Sequence, residues 1–185
     1  MLNLPNILSL LRIALIPVLV GLYFLPHGSA PVWATIVFVI AAITDWFDGY
    51  LARKWQQTSP FGAFIDPVAD KLIVAVALVL ILYKTSEWYI LIPVVIIIGR
   101  EITISALREW MAELGQRNAV KVSYVGKLKT TFQMISIACL IFYKPLFGLP
   151  TFEIGVVLLY FAAALTISSM FSYLKAAWPM LVSKG

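Results

Sequence analysis

PVWATIVFVIAAITDWFDGYLAR, from Pro31 to Arg53, decides the fold class. It carries no charge from Pro31 to Thr44 and then places Asp45, Asp48 and Arg53 in quick succession. A helix needs about 20 apolar residues to cross a hydrocarbon core about 30 Å thick. This stretch is long enough, and its acids fall at one end. Five more such segments flank it, so that six spans are predicted at roughly 8–25, 32–54, 61–83, 88–110, 122–143 and 152–175. Short breaks separate them: Leu25-Pro26-His27-Gly28, Thr58-Ser59-Pro60, Lys84-Thr85-Ser86, Leu114-Gly115 and Pro145 to Pro150. There is no repeat, long linker or low-complexity stretch, so residues 1–185 are expected to form a single all-α domain, multi-pass in a membrane.

Composition agrees. Of 185 residues, 62% are hydrophobic and 12% charged, with a mean hydropathy of +0.94. Soluble domains run at about 45–50% apolar and about 25% charged, and a chain of this size could not bury such an excess in one core. Lipid is the natural solvent for it. The net charge of +5 therefore points to lipid headgroups and phosphorylated substrates rather than nucleic acid. Cys139 is the single cysteine and His27 the single histidine, which excludes an intrachain disulfide and Cys- or His-based metal chemistry.

Arg12 ahead of an apolar run, with Gly28-Ser29-Ala30 behind it, has the layout of a secretory signal. Five further spans follow, and the run is expected to be the first span. Residues 2–12 are expected to form a short interfacial lead-in to it. Of the 14 Lys and Arg residues, only Lys84 and Lys144 fall on the outer side when the N-terminus is cytoplasmic. By the positive-inside rule both termini are then cytoplasmic.

The acids carry the chemistry. Residues three and four apart on a helix share a face, so Asp45, Asp48, Gly49, Ala52 and Arg53 line one face of the second span. Gly62, Asp66 and Asp70 line one face of the third. A short loop makes the two spans antiparallel neighbours, and the faces can meet. An Asp costs about 2.5–3.5 kcal/mol at a helix centre on insertion scales and less near the end. Four close together also repel. Hard divalent cations remove both costs, because they prefer oxygen ligands, and four aspartates suit a pair of ions about 3.5–4 Å apart. Acids that merely cap helix ends would not fall on matched faces with paired glycines. Gly49 and Gly62 leave room for a ligand or a partner helix, and Arg53 can reach a phosphate. Pro67 is expected to start or bend its helix near the site.

Residues 45–70 spell D-x2-D-G-x2-A-R-x8-G-x3-D-x3-D. The stretch resembles, without a departure, the signature motif of the CDP-alcohol phosphotransferase family, whose members are usually homodimers with six helices and a cytoplasmic motif. The resemblance implies that a CDP-linked lipid lays its pyrophosphate on two divalent cations, Mg²⁺ or alternatively Mn²⁺, while an acceptor hydroxyl attacks and CMP leaves. It implies that Asp45, Asp48, Asp66 and Asp70 are metal ligands, with Asp70 also the general base. It further implies that Gly49, Ala52, Arg53 and Gly62 line the nucleotide pocket, with Ser59 a weaker candidate for contacting the nucleobase.

A second cationic region bears on the acceptor. REITISALREWMAELG (Arg100 to Gly115) puts Arg100 and Arg108 on one helical face, and VGKLKTTFQM (Val125 to Met134) adds Lys127 and Lys129. Arg100, Arg108 and Lys127 are the candidates for an acceptor phosphate. Arg117, Lys121, Lys175 and Lys184 are expected to be anchors. Both stretches, with NLPNILSLLRIALIP (Asn3 to Pro17), resemble the bacterial branch of the family that uses sn-glycerol 3-phosphate. That resemblance implies transfer of a phosphatidyl group from CDP-diacylglycerol, giving phosphatidylglycerophosphate and CMP, on the path to phosphatidylglycerol and cardiolipin in the bacterial inner membrane. Other acceptors within the family, inositol phosphate or phosphatidylglycerol, remain alternatives. A divalent-cation transporter would need acids strung across the bilayer, and here they crowd one end.

Asn6 and Ser9 are weaker nucleotide candidates, and Glu101, Glu109 and Glu113 are expected to pair with nearby arginines at i+4-type spacings. Trp46, Trp55, Trp88, Trp110 and Trp178 are expected to form an aromatic belt at span ends.

Overall fold

The computed structural model describes residues 4–55, 60–115 and 124–182, and at 46 and 48–55, among a few other positions, only the helix and not the side chain. Six α-helices and no strand occur among the described residues: α1 (Leu4–Phe24), α2 (Ala30–Trp55), α3 (Pro60–Thr85), α4 (Trp88–Glu113), α5 (Tyr124–Phe142) and α6 (Thr151–Val182). Among the described residues, three stretches are long and apolar enough to cross a membrane: Asn6–Phe24, Trp88–Glu113 and Thr151–Lys175. Ala30–Asp45 and Leu128–Phe142 are shorter apolar helices. Asp66, Asp70 and Lys71 interrupt the first half of α3. Ile7, Leu11 and Val18 on α1, Leu91, Ile92, Val95 and Ile102 on α4, and Val157 and Phe161 on α6 are exposed. Such surfaces suit lipid and not water, and they mark the chain as a membrane protein.

The chain forms two compact units. The first comprises Met1–Thr85 and Ile137–Gly155, the second Ser86–Ser136 and Val156–Gly185. In the first, α1 packs against α2 and α3. Its inward face is one stripe at helical spacing, Asn6, Ser9, Arg12, Ile16 and Leu19, all buried. The stripe is polar in its first half and apolar in its second. The buried residues of its two partner helices include Ala34, Phe38 and Ala41 of α2 and Ala69, Ile73, Ala77 and Ile81 of α3, and alanines let packed helices come close. Residues 4–12 thus differ from the expected lead-in: they continue α1 as one helix, because their polar positions fall on the same buried face as Ile16 and Leu19. Pro67 neither starts nor ends α3, which runs through it from Pro60.

At the other end of this unit, Lys84 lies over the rings of Tyr23 (5.1 Å) and Tyr143 (5.6 Å), and Lys144 donates to the Gly28 carbonyl. From Asp70 to Lys84 along α3 is about 21 Å at 1.5 Å per residue. Gly155 allows α6 to approach α5: a Cβ there would lie 2.9 Å from Leu140 Cγ.

In the second unit, Ile104 and Met111 of α4 pack against Tyr173 and Ala177 of α6, with Leu107, Trp110 and Met170 around them. Trp110 is therefore part of this core, whereas Trp88 and Trp178 are exposed. The side chains of Trp46 and Trp55 lie outside the described residues. Gly115 closes α4 with φ +73°, its N–H donating to the Ala112 carbonyl, a left-handed stop that glycine adopts without penalty.

Candidate active site

Asp45 follows directly on the apolar run of α2, and Asp66 and Asp70 stand one turn apart near the start of α3. What gathers them is the polar half of α1. Arg12 Nη1 donates to Asp45 Oδ1 at 3.0 Å, and the same nitrogen pairs with Asp70 Oδ1. Ser9, a turn earlier, donates to Asp66 Oδ1. Asp66 is also near enough to Asp45 for their charges to repel. The Arg12 side chain is 1% exposed, against 37% for Asp45 and 39% for Asp70. The cation lies behind, and the carboxylates open outward. Gly62, one turn before Asp66, is buried.

The fourth aspartate, Asp48, sits in α2 one turn beyond Asp45, as do Gly49, Ala52 and Arg53 further on, but their side chains lie outside the described residues. Ser59 lies outside them altogether. Among the described residues, no three Asp, Glu, His or Cys side chains are drawn tightly enough together to hold a metal ion; Arg12 bridges Asp45 and Asp70 instead. The donor set nevertheless fits a hard divalent cation: carboxylate oxygens only, partly exposed, and in need of positive charge.

A second charged cluster forms in the other unit. Arg100 Nη1 donates to Glu101 Oε1 at 2.9 Å and its Nη2 to Ser169 Oγ at 3.4 Å. Lys129, on α5, donates to the same Glu101 oxygen. Arg108 Nη2 donates to Tyr173 Oη at 3.3 Å. Both guanidinium groups lie near the Tyr173 ring, 5.7 Å for Arg100 and 5.4 Å for Arg108. Arg100 and Arg108 thus share one tyrosine. Lys127 opens α5, but its side chain lies outside the described residues. Glu101 departs from the expected i+4-type pairing: it takes its neighbour Arg100 and a lysine from another helix. A long guanidinium can curl back past one residue, and the contact with Lys129 depends on helix packing, which local spacing does not report.

The sequence alone assigns Arg12 only a place on the cytoplasmic side, puts Lys129 beside Lys127 without pairing it to Glu101, gives Tyr173 no place in this cluster, and offers Ser9 only as a weak nucleotide candidate. The periodicity of Asn6, Ser9 and Arg12 along one face of α1 was the available signal for the first helix. Tyr173 had none.

A family model described as CDP-alcohol phosphatidyltransferase matches residues 2–168. The chain belongs to that family. Among other members of the CDP-alcohol phosphatidyltransferases, a protein of Pectobacterium atrosepticum is 54% identical over 175 residues, covering 95% of this chain and 94% of its own length. A protein of Yersinia enterocolitica is 52% identical over 181 residues, 98% of each chain, and one of Salmonella choleraesuis is 51% identical over 175 residues, 95% and 94% of the two chains. Each bears the name CDP-diacylglycerol–glycerol-3-phosphate 3-phosphatidyltransferase.

Proposed function

We propose that this chain transfers the phosphatidyl group of CDP-diacylglycerol to sn-glycerol 3-phosphate, forming phosphatidylglycerophosphate and releasing CMP, in the route to phosphatidylglycerol and cardiolipin. The observation that carries the reading is half or more of the sequence shared, over nearly the full length, with proteins named for that reaction. The charged clusters supply chemistry that matches it.

Asp45, Asp48, Asp66 and Asp70 hold two divalent cations, Mg²⁺ or Mn²⁺, as expected for oxygen donors at a phosphoryl-transfer site. Those ions, when bound, neutralise the pyrophosphate and stabilise the leaving phosphate. Asp70 accepts the proton of the acceptor hydroxyl as that oxygen attacks the β-phosphorus, and the bond to the CMP oxygen breaks. Gly49, Ala52, Arg53, Ser59 and Gly62 line the nucleotide pocket: the glycines leave space, and Arg53 contacts phosphate. Arg100, Arg108 and Lys127 hold the acceptor's phosphate. Tyr173 supports this role, because both guanidinium groups lie near its ring, and paired guanidiniums suit a dianion. Serine would need no such cations. The enzyme crosses the bacterial inner membrane six times, with both termini and the aspartates on the cytoplasmic side, and works as a homodimer.

CMP release by the purified protein tests the reading, with CDP-diacylglycerol and Mg²⁺ and a choice of glycerol 3-phosphate, inositol phosphate, serine or phosphatidylglycerol. Turnover with glycerol 3-phosphate alone is expected. Turnover with another acceptor would keep the metal mechanism and overturn the acceptor pocket, and no CMP with any of them would remove the activity itself.

A further inference from the structure

Carboxylates gathered at the edge of an apolar helix pair require positive charge, and the chain supplies some of it from α1. Arg12 is fully buried, and one nitrogen, Nη1, serves both Asp45 and Asp70, residues on two different helices. A guanidinium does not lose its proton in a protein, so this charge is permanent. It also occupies Oδ1 of each acid, and those oxygens belong to the residues that would coordinate a divalent ion. An ion ligated by Asp45 and Asp70 and a guanidinium bridging the same pair are competing arrangements.

We propose that Arg12 is a built-in counter-cation for this site: it holds Asp45 and Asp70 together in the metal-free chain and yields at least one of them when a divalent ion enters. This rests on the metal reading above and gives Arg12 a positioning role. Two consequences follow physically. The metal-free site is held in shape, not splayed by like-charge repulsion. Apparent metal affinity is lowered by the fraction of chains in which the guanidinium holds the acids.

The test uses the full chain purified in detergent, with Mn²⁺ binding followed by electron paramagnetic resonance and thermal unfolding measured in EDTA and in saturating Mg²⁺. Arg12→Gln should bind Mn²⁺ about tenfold tighter, as expected if the bridged arrangement outweighs the open one by roughly ten to one. Its unfolding midpoint should fall in EDTA and recover in Mg²⁺, so that the metal-dependent rise exceeds that of the wild type. Arg12→Lys keeps the charge but is a shorter point donor without the planar fork, and it too should bind more tightly than wild type. It also carries the test if the Gln variant does not fold. An Arg12→Lys affinity equal to the wild type's would reduce Arg12 to a through-space charge and overturn the proposal, as would an Arg12→Gln affinity equal or weaker. Asp70→Asn locates the ion. If wild-type Mn²⁺ binding is absent, or is untouched by Asp70→Asn, the metal reading itself fails and takes this proposal with it.

Discussion

The two charged clusters are near mirror images. In the first unit one buried cation, Arg12, faces Asp45 and Asp70, with Asp66 tied to Ser9 beside them. In the second, one acid, Glu101, faces Arg100 and Lys129, with Arg108 held beside them on Tyr173. In each, a single countercharge makes a like-charged group tolerable in apolar surroundings without neutralising it. The excess is negative in one unit and positive in the other. Clusters of this kind are expensive in a membrane protein, and opposite excesses suit opposite ligands, a hard cation and a phosphate. A buried cation in each distinguishes them from surface salt bridges: the Arg12 side chain is 1% exposed and that of Lys129 3%.

The sharpest way to break the comparison is at Asp70. Asp70→Asn should lower kcat about a thousandfold, within the range of a positioned general base, with nucleotide binding largely spared. Asp45→Asn should instead weaken metal-dependent nucleotide binding, seen as a raised KM for CDP-diacylglycerol. Near-normal CMP release by either variant sinks its assignment.

Next comes the countercharge of the second cluster. Glu101→Gln leaves the buried Lys129 ammonium without its acid and should cost about 3 kcal/mol, the low end for breaking a buried pair. Thermal unfolding in detergent measures it, and an unchanged midpoint would show that this cluster does not need its acid. Arg108→Gln should raise the KM for glycerol 3-phosphate about tenfold, the worth of a weaker charge-assisted hydrogen bond, with little change in kcat. A kcat loss at constant KM would contradict a binding role. Gly155→Ala lies outside both clusters and serves as the contrast. Its methyl would press on Leu140 and lower stability by about 1 kcal/mol, leaving both KM values where they were; a shifted KM would mean that the clusters are not separable from the packing.

Much of the site was legible in one dimension because helices make it so. Asp45 and Asp48, Asp66 and Asp70, and Arg100 and Arg108 are three, four and eight residues apart, and helical geometry places each pair on one face without reference to the rest of the chain. The helix ends were legible for a similar reason: proline, glycine and polar breaks fall where the apolar runs stop. Residues 4–12, expected as an interfacial lead-in, instead continue α1; the spacing of Asn6, Ser9 and Arg12 puts them on one face, but only packing decides that this face is buried.

By itself, then, the sequence determined an all-helical membrane chain, its segment count, and which charged residues stand together on each helix, since all of these follow from hydropathy and from periods of three and four. Only the tertiary structure decided which charges meet. Arg12 with Asp45, Ser9 with Asp66, Lys129 with Glu101 and Arg108 with Tyr173 lie 33, 57, 28 and 65 residues apart. Such pairings depend on the rotation and register of one packed helix against another, which is set by the side chains along the whole contact and is written in no single stretch.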